Sequence, residues 1–238
     1  MKDDLSKTFL RLFEKLERKS LLLVKSLTNN IDDAEKQIDD AIRQLYADMD
    51  DVSLQNANSL LSDDEKEQFY LDVERYHADA LKVGASKAWL SYLNGMRSRK
   101  RVSRIQSANT HIRAAVMGLG EREVAVISDA IVASYEGAYY YTAYEIQRNL
   151  RQGWLTELLD VDDLTRALRK RWGTDGELFS GRIWNNKQKM MQAQENELKH
   201  SIMQGNNVNK AIKRIDKLMD TERYNARRHI RTESAYYA

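Results

Sequence analysis

Residues 124–150 read VAVISDAIVASYEGAYYYTAYEIQRNL. Val124, Ile127, Ile131, Tyr135, Ala138, Thr142, Ile146 and Leu150 recur at three- and four-residue intervals, the spacing that places side chains on one face of an α-helix. The stretch predicts roughly seven turns, about 40 Å at 1.5 Å per residue. Proline, the residue that breaks helix interiors, is absent from all 238 positions, where average usage would give on the order of ten. Glycine is sparse as well, at 10 residues, so little in the sequence interrupts helices.

The same period continues outward. Upstream, Val102, Ile105, Ile112, Val116 and Leu119 form a narrow amphipathic stripe, set off from the first stretch by Gly118 and Gly120. Further back, Ser62 with Glu65 three residues on is a capping box, in which each side chain satisfies an orphan amide at a helix start. Leu5, Phe9, Leu12, Phe13, Leu16, Leu21 and Val24 predict a first helix ending at Asn29 and Asn30, and Ile31, Ile38, Ala41, Ile42 and Leu45 a second reaching towards Met49.

Downstream, Gly153 ends the long helix, and TELLDVDDLTRALRKRW (156–172) reads as a short helix. It leads into WGTDGELFSGRIW, where three glycines crowd together. Ile183, Met190, Met191, Leu198 and Ile202 mark another helix, with Gly205 as its C′ residue. The seven-residue spacing of Trp184 and Met191 places the indole in the core. Asn206 or Asn207 then caps a helix carrying Val208, Ala211, Ile212, Ile215, Leu218 and Met219, and Thr221 opens the last one. No strand run and no internal repeat is present. The expectation is an all-α fold: an elongated assembly of long amphipathic helices with one loop-rich turn near residues 172–184. It divides into an N-terminal helical region, 1–120, and a C-terminal one, 121–238.

Composition narrows function by exclusion. Hydrophobic residues at 42% suffice for a core, while 31% charged residues exceed the usual quarter. There is no cysteine, hence no disulfide and no thiolate nucleophile or ligand. No stretch approaches the roughly 18 apolar residues of a membrane span, and the charged start is unlike a signal peptide. A soluble protein made in the cytoplasm is expected, without a membrane partner. His77, His111, His200 and His229 lie far apart and in no H-E-x-x-H arrangement, and neither a phosphate loop nor a G-x-S-x-G elbow is present. The sequence therefore predicts no catalytic residues, no metal and no cofactor. Paired carboxylates such as Asp32/Asp33, Asp39/Asp40, Asp63/Asp64 and Asp162/Asp163 do not face each other on a helix, and read as caps and helix-dipole partners.

Charge is unevenly placed. Residues 1–90 hold 13 Lys and Arg against 19 Asp and Glu, and residues 91–238 hold 25 against 17. Arg97, Arg99, Lys100, Arg101 and Arg104 make one basic cluster, in which Arg97, Arg101 and Arg104 share a face if the segment is helical. Arg223, Arg227, Arg228 and Arg231, beside His229, make a second, with Ile230 and Tyr237 on a different face. Arg166, Arg169, Lys170 and Arg171 make a third. Such faces suit the phosphates of packaged DNA, bound without regard to sequence; the alternative is a solvated or salt-bridged surface. Tyr135, Tyr139, Tyr140, Tyr141 and Tyr144 suit packing between helices or a protein interface better than base stacking.

Three stretches together resemble the phage head morphogenesis family of minor head (minor capsid) proteins, related to protein F of phage Mu. They are SRKRVSRIQSANTHIRAAVMGL (98–119), WGTDGELFSGRIWNNKQKM with IMQGNNVNKAIKRI (172–190 and 202–215), and ARRHIRTESAYYA (226–238), in the family's order. The residues carrying the likeness are Trp172, Asp175, Gly176, Phe179, Ser180, Arg182, Ile183, Trp184, Gly205, Arg231, Thr232 and Glu233. The resemblance implies a virion protein inside the capsid near the portal vertex. Such a protein binds the portal, with other capsid proteins as further partners, is assembled in the host cytoplasm, and assists head assembly and DNA packaging or ejection.

The physical reading beside it has Trp172, Phe179 and Trp184 anchoring the loop-rich turn and Asp175 and Ser180 as local caps. Arg182 and Arg231 either brace the fold through Glu233 or another carboxylate, or touch a partner. Relatives of this kind commonly run on past the Arg-Thr-Glu helix, whereas this sequence stops five residues after Glu233, so an activity housed in such a tail does not carry over. An ADP-ribosyltransferase-type fragment is the enzyme alternative, disfavoured by the want of strands and of a nicotinamide pocket motif.

Overall fold

The computed structural model describes residues 2–152 and 157–237, and over residues 2–20 the side chains of Arg11, Glu14, Lys15, Arg18 and Lys19 only. The protein is all-α, with 81% of the chain in helices. The helices are α1 (Lys2–Ala47), α2 (Leu54–Ala57), α3 (Asp63–Lys82), α4 (Lys87–Arg97), α5 (Arg104–Leu150), α6 (Val161–Leu168), α7 (Phe179–Met203) and α8 (Val208–Tyr237). Among the described residues there is no strand, only an isolated bridge between Leu60 and Ser103. None of the described helices is long and apolar enough to cross a membrane.

The helices are longer than the breaker residues suggest. Asn29 and Asn30 do not separate one helix from the next; both lie inside α1. Asparagine lowers helix propensity by no more than about 0.7 kcal/mol. Leu27, Ile31, Ala34, Ile38, Ile42 and Leu45 stay in phase across the pair and are all buried, so packing outweighs propensity. The apolar side chains from Leu5 to Leu16 lie outside the described residues. Gly118 and Gly120 likewise fall within α5, where each costs about 1 kcal/mol against alanine, next to the fully buried Val116 and Leu119. Thr221 does not open a new helix: α8 runs through it, and its hydroxyl donates to the Lys217 carbonyl at 3.3 Å. Gly153, expected to end the long helix, lies outside the described residues.

Helix ends follow local chemistry. Ser62 and Glu65 form both halves of the capping box on α3, and Asp160 caps α6 by accepting from the Asp163 amide at 2.7 Å. At the end of α7, Gly205 adopts φ +64°, the Gly205 amide donates to Ile202 and the Asn206 amide to Ser201, each at 3.0 Å. This is a Schellman motif, whose left-handed C′ position favours glycine. Of the two asparagines that follow, Asn207 is the cap, accepting from the Lys210 amide at 3.0 Å.

The chain forms two compact units, each discontinuous in sequence: residues 1–30, 122–185 and 222–238, and residues 31–121 and 186–221. Residue 121 is thus one boundary among several, because α1, α5, α7 and α8 each contribute to both units. The second unit is built on Ile31, Ile38, Phe69, Val73, Leu93 and Ile112, with α3 packed on α4. In the first, Ile127, Ile131, Ala167, Ile183, Ala226 and Ile230 form the core, and Glu123, Glu145, Glu222 and Glu233 are buried with them. A core carrying that many carboxylates needs cationic or hydrogen-bonding partners for each.

In the second unit the Asp39 carboxyl of α1 has a buried oxygen that accepts no hydrogen bond. Burial first, then the charges of Asp216 on α8 and of Glu35, push its pKa from the ordinary 3.8 up to about 6, against the pull of Arg43, with Asp40 adding to the rise. The folded protein holds this proton more tightly than the unfolded chain. The resulting stabilisation is complete below about pH 4 and lost as pH rises through about 6. The melting temperature of Asp39→Asn is therefore expected to exceed the parent's at pH 7.5 and to vary less between pH 7.5 and 5. Calorimetry at the two pH values checks this.

Candidate functional site

The loop between α6 and α7 contains the residues of the middle resembling stretch, and its conformation is set by side chains. Gly176 closes a turn with its amide on the Gly173 carbonyl, 3.0 Å, and Asp175 accepts from the Glu177 amide at 3.1 Å. That turn is a local Asx-type closure. Arg182, in the first turn of α7, reaches back over it. Its Nε and Nη2 donate to the two oxygens of Asp175, each at 2.8 Å, the bidentate geometry that matches a guanidinium fork to a carboxylate. These hydrogen bonds, then the Glu177 amide, hold the Asp175 carboxyl down at about 2.

The remaining donor of Arg182, Nη1, meets Glu233 Oε1 of α8 at 3.1 Å, and the other Glu233 oxygen accepts from the Trp172 indole at 2.8 Å. The Glu233 side chain is only 3% exposed, so both oxygens are satisfied from within the protein. The Arg182 guanidinium also lies over the Trp172 ring, 5.5 Å from its centre. Tyr236 also stacks on that ring, at 4.4 Å and 11°. Beside it, Tyr237 donates its hydroxyl to the Ala167 carbonyl at the end of α6, 2.6 Å, and burial, with Glu233 adding, pushes its pKa up to about 12. Lys170 Nζ sits 5.4 Å over the Tyr236 ring.

The structure thus joins Trp172, Asp175, Gly176, Arg182 and Glu233, which are spread over 62 positions of sequence, in one cluster. Of the Arg-Thr-Glu triplet only Glu233 points inward; Arg231 and Thr232 are exposed. Two expectations are corrected. Ser180 does not cap α7, because the helix begins at Phe179 and Ser180 lies inside its first turn, both half-buried. Trp184 and Met191 are half-buried too, and the core position is Ile183, 1% exposed. The expected Ile183, Met190, Leu198 and Ile202 are buried, joined on the same stripe of α7 by the polar Lys187 and Gln194. Tyr236 belongs to the cluster without being among the residues that carry the resemblance. Its one signal in the sequence is its place three residues after Glu233, on a neighbouring stretch of the same helical surface.

The basic clusters separate. Arg97, Arg101 and Arg104 do not share a helix face, because α4 ends at Arg97 and α5 begins at Arg104. Between them Val102 is buried, its carbonyl takes the Leu61 amide at 2.9 Å, and the Arg104 amide donates to the Ser59 carbonyl at 3.0 Å, pinning an extended segment. Arg97 pairs with Glu74 at 3.2 Å, and Arg104 with Glu65 at 3.3 Å and with the Ser59 hydroxyl at 2.9 Å. Arg99, Lys100 and Arg101 are exposed on the connecting segment. On α8, Arg227, Arg228 and Arg231 are exposed and Arg223 is half-buried. Arg166 pairs with Asp163.

Tyr135, Tyr139, Ile146, Arg166 and Tyr236 line an open cleft of about 1210 Å³ in the first unit. The Tyr139 hydroxyl donates to the Glu157 carbonyl at 3.2 Å, and Tyr140 accepts the Leu159 amide at 3.0 Å, so these rings hold the segment before α6. Among the described residues, no three His, Asp or Glu side chains converge as a metal site. His111 is half-buried, its Nδ1 2.8 Å from the Tyr76 hydroxyl, and desolvation lowers its pKa. His229 faces Glu123 at 3.4 Å. Comparison with protein-family models, with curated proteins and with solved structures finds no match.

Gly173 tests the cluster. A Cβ built there would lie 1.9 Å from Arg182 Nη2, an atom fixed by Asp175. Gly173→Ala is expected to displace the guanidinium, strip Glu233 of its cation and destabilise the protein by roughly 3 kcal/mol. Gly95→Ala, which meets open space in the interior of α4, should instead stabilise by up to about 1 kcal/mol. Urea denaturation of the two variants checks the contrast.

Proposed function

We propose that this chain is a non-enzymatic minor head protein of a tailed phage, docking on the portal inside the capsid and assisting head assembly and DNA packaging or ejection. What supports the reading is the convergence of Trp172, Asp175, Arg182 and Glu233. These four residues of the resembling stretches, up to 61 positions apart, hold one another through side-chain hydrogen bonds. The cluster also leaves little for chemistry: each oxygen of Glu233 and each nitrogen of the Arg182 fork is engaged within the fold. A brace, unlike a catalytic acid or base, functions when its groups are saturated.

For docking, the end of α5 offers Leu150, 60% exposed, and Ile146, 45% exposed, four residues apart on one side of the helix, with Tyr144, 60% exposed, on another. Large side chains exposed together suit an interface anchored by aromatic and aliphatic groups. Co-expression of the whole chain with the portal protein of the same phage is expected to give a complex on size exclusion that survives roughly 0.5 M salt, to which apolar contacts are indifferent. Tyr144→Glu with Leu150→Glu should weaken it at least about tenfold while leaving the circular dichroism spectrum unchanged. Failure of the parent chain to associate with the portal would overturn the reading.

A further inference from the structure

The last turns of α8 have two chemically distinct sides. With about 100° between successive residues, Ala226, Ile230, Glu233 and Tyr237 fall together on one side and are all buried. Tyr224, Arg227, Arg228, Arg231 and Ala235 fall together on the opposite side and are all exposed. Arg223 lies on the flank and is half-buried. The four-residue ladder of Arg223, Arg227 and Arg231 therefore drifts off the solvent face, and the trio that stands in water is Arg227, Arg228 and Arg231.

Two further observations make this side more than a solvated surface. The only carboxylates of residues 221–237 are Glu222 and Glu233, which are 4% and 2% exposed. Both carboxylates are turned inward and Arg227, Arg228 and Arg231 outward, with Arg223 on the flank and Asp220, just before the segment, exposed. Among the described residues none of the three guanidinium groups meets a carboxylate, unlike Arg97, Arg104, Arg166 and Arg182, all of which do. Lys170, seated over the Tyr236 ring, brings the exposed Arg169 and Lys170 to the same end of the helix.

The composition of the face selects the partner. An anionic membrane would be met by cations flanking large aliphatic side chains that enter the lipid. Here the exposed neighbours are Tyr224, Thr232 and Ala235, and no exposed Leu, Ile, Val, Met or Phe occurs between residues 221 and 237. A regular polyanion needs only guanidinium groups in a row with space around them, which this face supplies. It carries no Asn or Gln beside the arginines to read base edges: Asn225 is half-buried.

We propose that the Arg227–Arg228–Arg231 face of α8 binds the phosphate backbone of double-stranded DNA without sequence preference. The inference is independent of portal docking, since it uses neither the exposed end of α5 nor the resemblance. Three engaged phosphates give a log–log salt slope of about −3, at about 0.9 per phosphate.

The test is fluorescence anisotropy of a 30-base-pair duplex titrated with the whole chain between 50 and 200 mM NaCl. The parent is expected to bind with that slope, and with affinities for A·T-rich and G·C-rich duplexes that agree within about threefold. Replacing Arg227, Arg228 and Arg231 together by Ala removes only exposed side chains. It should cut affinity at 50 mM at least about tenfold and abolish most of the slope. Arg97→Ala, exposed but paired, should change affinity less than about twofold. Unaltered binding by the triple variant, equal loss in Arg97→Ala, a strong sequence preference, or binding to phosphatidylserine vesicles but not to the duplex would each overturn the proposal. A circular dichroism spectrum and melting temperature matching the parent's establish that the triple variant is folded. If it is not, charge reversal at Arg231 alone, Arg231→Glu, must lower affinity at least about threefold for the proposal to stand.

Discussion

A carboxylate that is 3% exposed cannot be left to water, and Glu233 on α8 is such a group. Its two oxygens are matched by two donors from different places, the Trp172 indole in the α6–α7 loop and the Arg182 guanidinium on α7. Because Arg182 is simultaneously forked onto Asp175, the loop, the start of α7 and the end of α8 are fixed by one connected set of hydrogen bonds. Removing one member of a buried ion pair typically costs about 3–5 kcal/mol, since the survivor stays desolvated without compensation. The loop carries glycines and no regular structure, so without these side chains nothing would define its path. The Trp172–Tyr236 stack and the Tyr237–Ala167 hydrogen bond extend the same attachment to α6.

The helices were legible wherever a stripe of Leu, Ile and Val ran uninterrupted, and the caps wherever one local hydrogen bond defines them, as at Ser62, Gly205 and Asn207. Reading stopped short at Asn29–Asn30, Gly118–Gly120 and Thr221, because each residue disfavours helix by about 1 kcal/mol or less and the burial on either side is larger. The basic run 97–104 looked helical from spacing alone. What breaks it is contact with residues about forty positions earlier, the Leu61 and Ser59 backbone, and no local pattern carries that.

The candidate cluster was half-visible. Arg182 bracing Glu233 was one of two readings of those residues, and sequence had no means of choosing between a cation that meets a partner and one that meets its own fold. For Arg182 the choice fell inward and for Arg231, two residues before Glu233, outward. Helical geometry explains the split, because positions two apart lie on different sides. Trp184 was misplaced for a related reason: its seven-residue spacing to Met191 runs one position beside the stripe of Ile183, Met190 and Leu198, and the polar Lys187 and Gln194 on that stripe hide which of the two is buried.

These observations make α8 the element on which structure and proposed function meet, its inner side bracing the loop through Glu233 and its outer side presenting arginines that meet no carboxylate. The claim that everything else depends on is the coupling between Arg182 and Glu233, and a double-mutant cycle measures it directly. Arg182→Met, Glu233→Leu and the double variant, unfolded in urea beside the parent, are expected to show a coupling of at least about 1.5 kcal/mol, with the double variant more stable than the sum of the single losses implies. Additive losses, with a coupling indistinguishable from zero, would contradict the account.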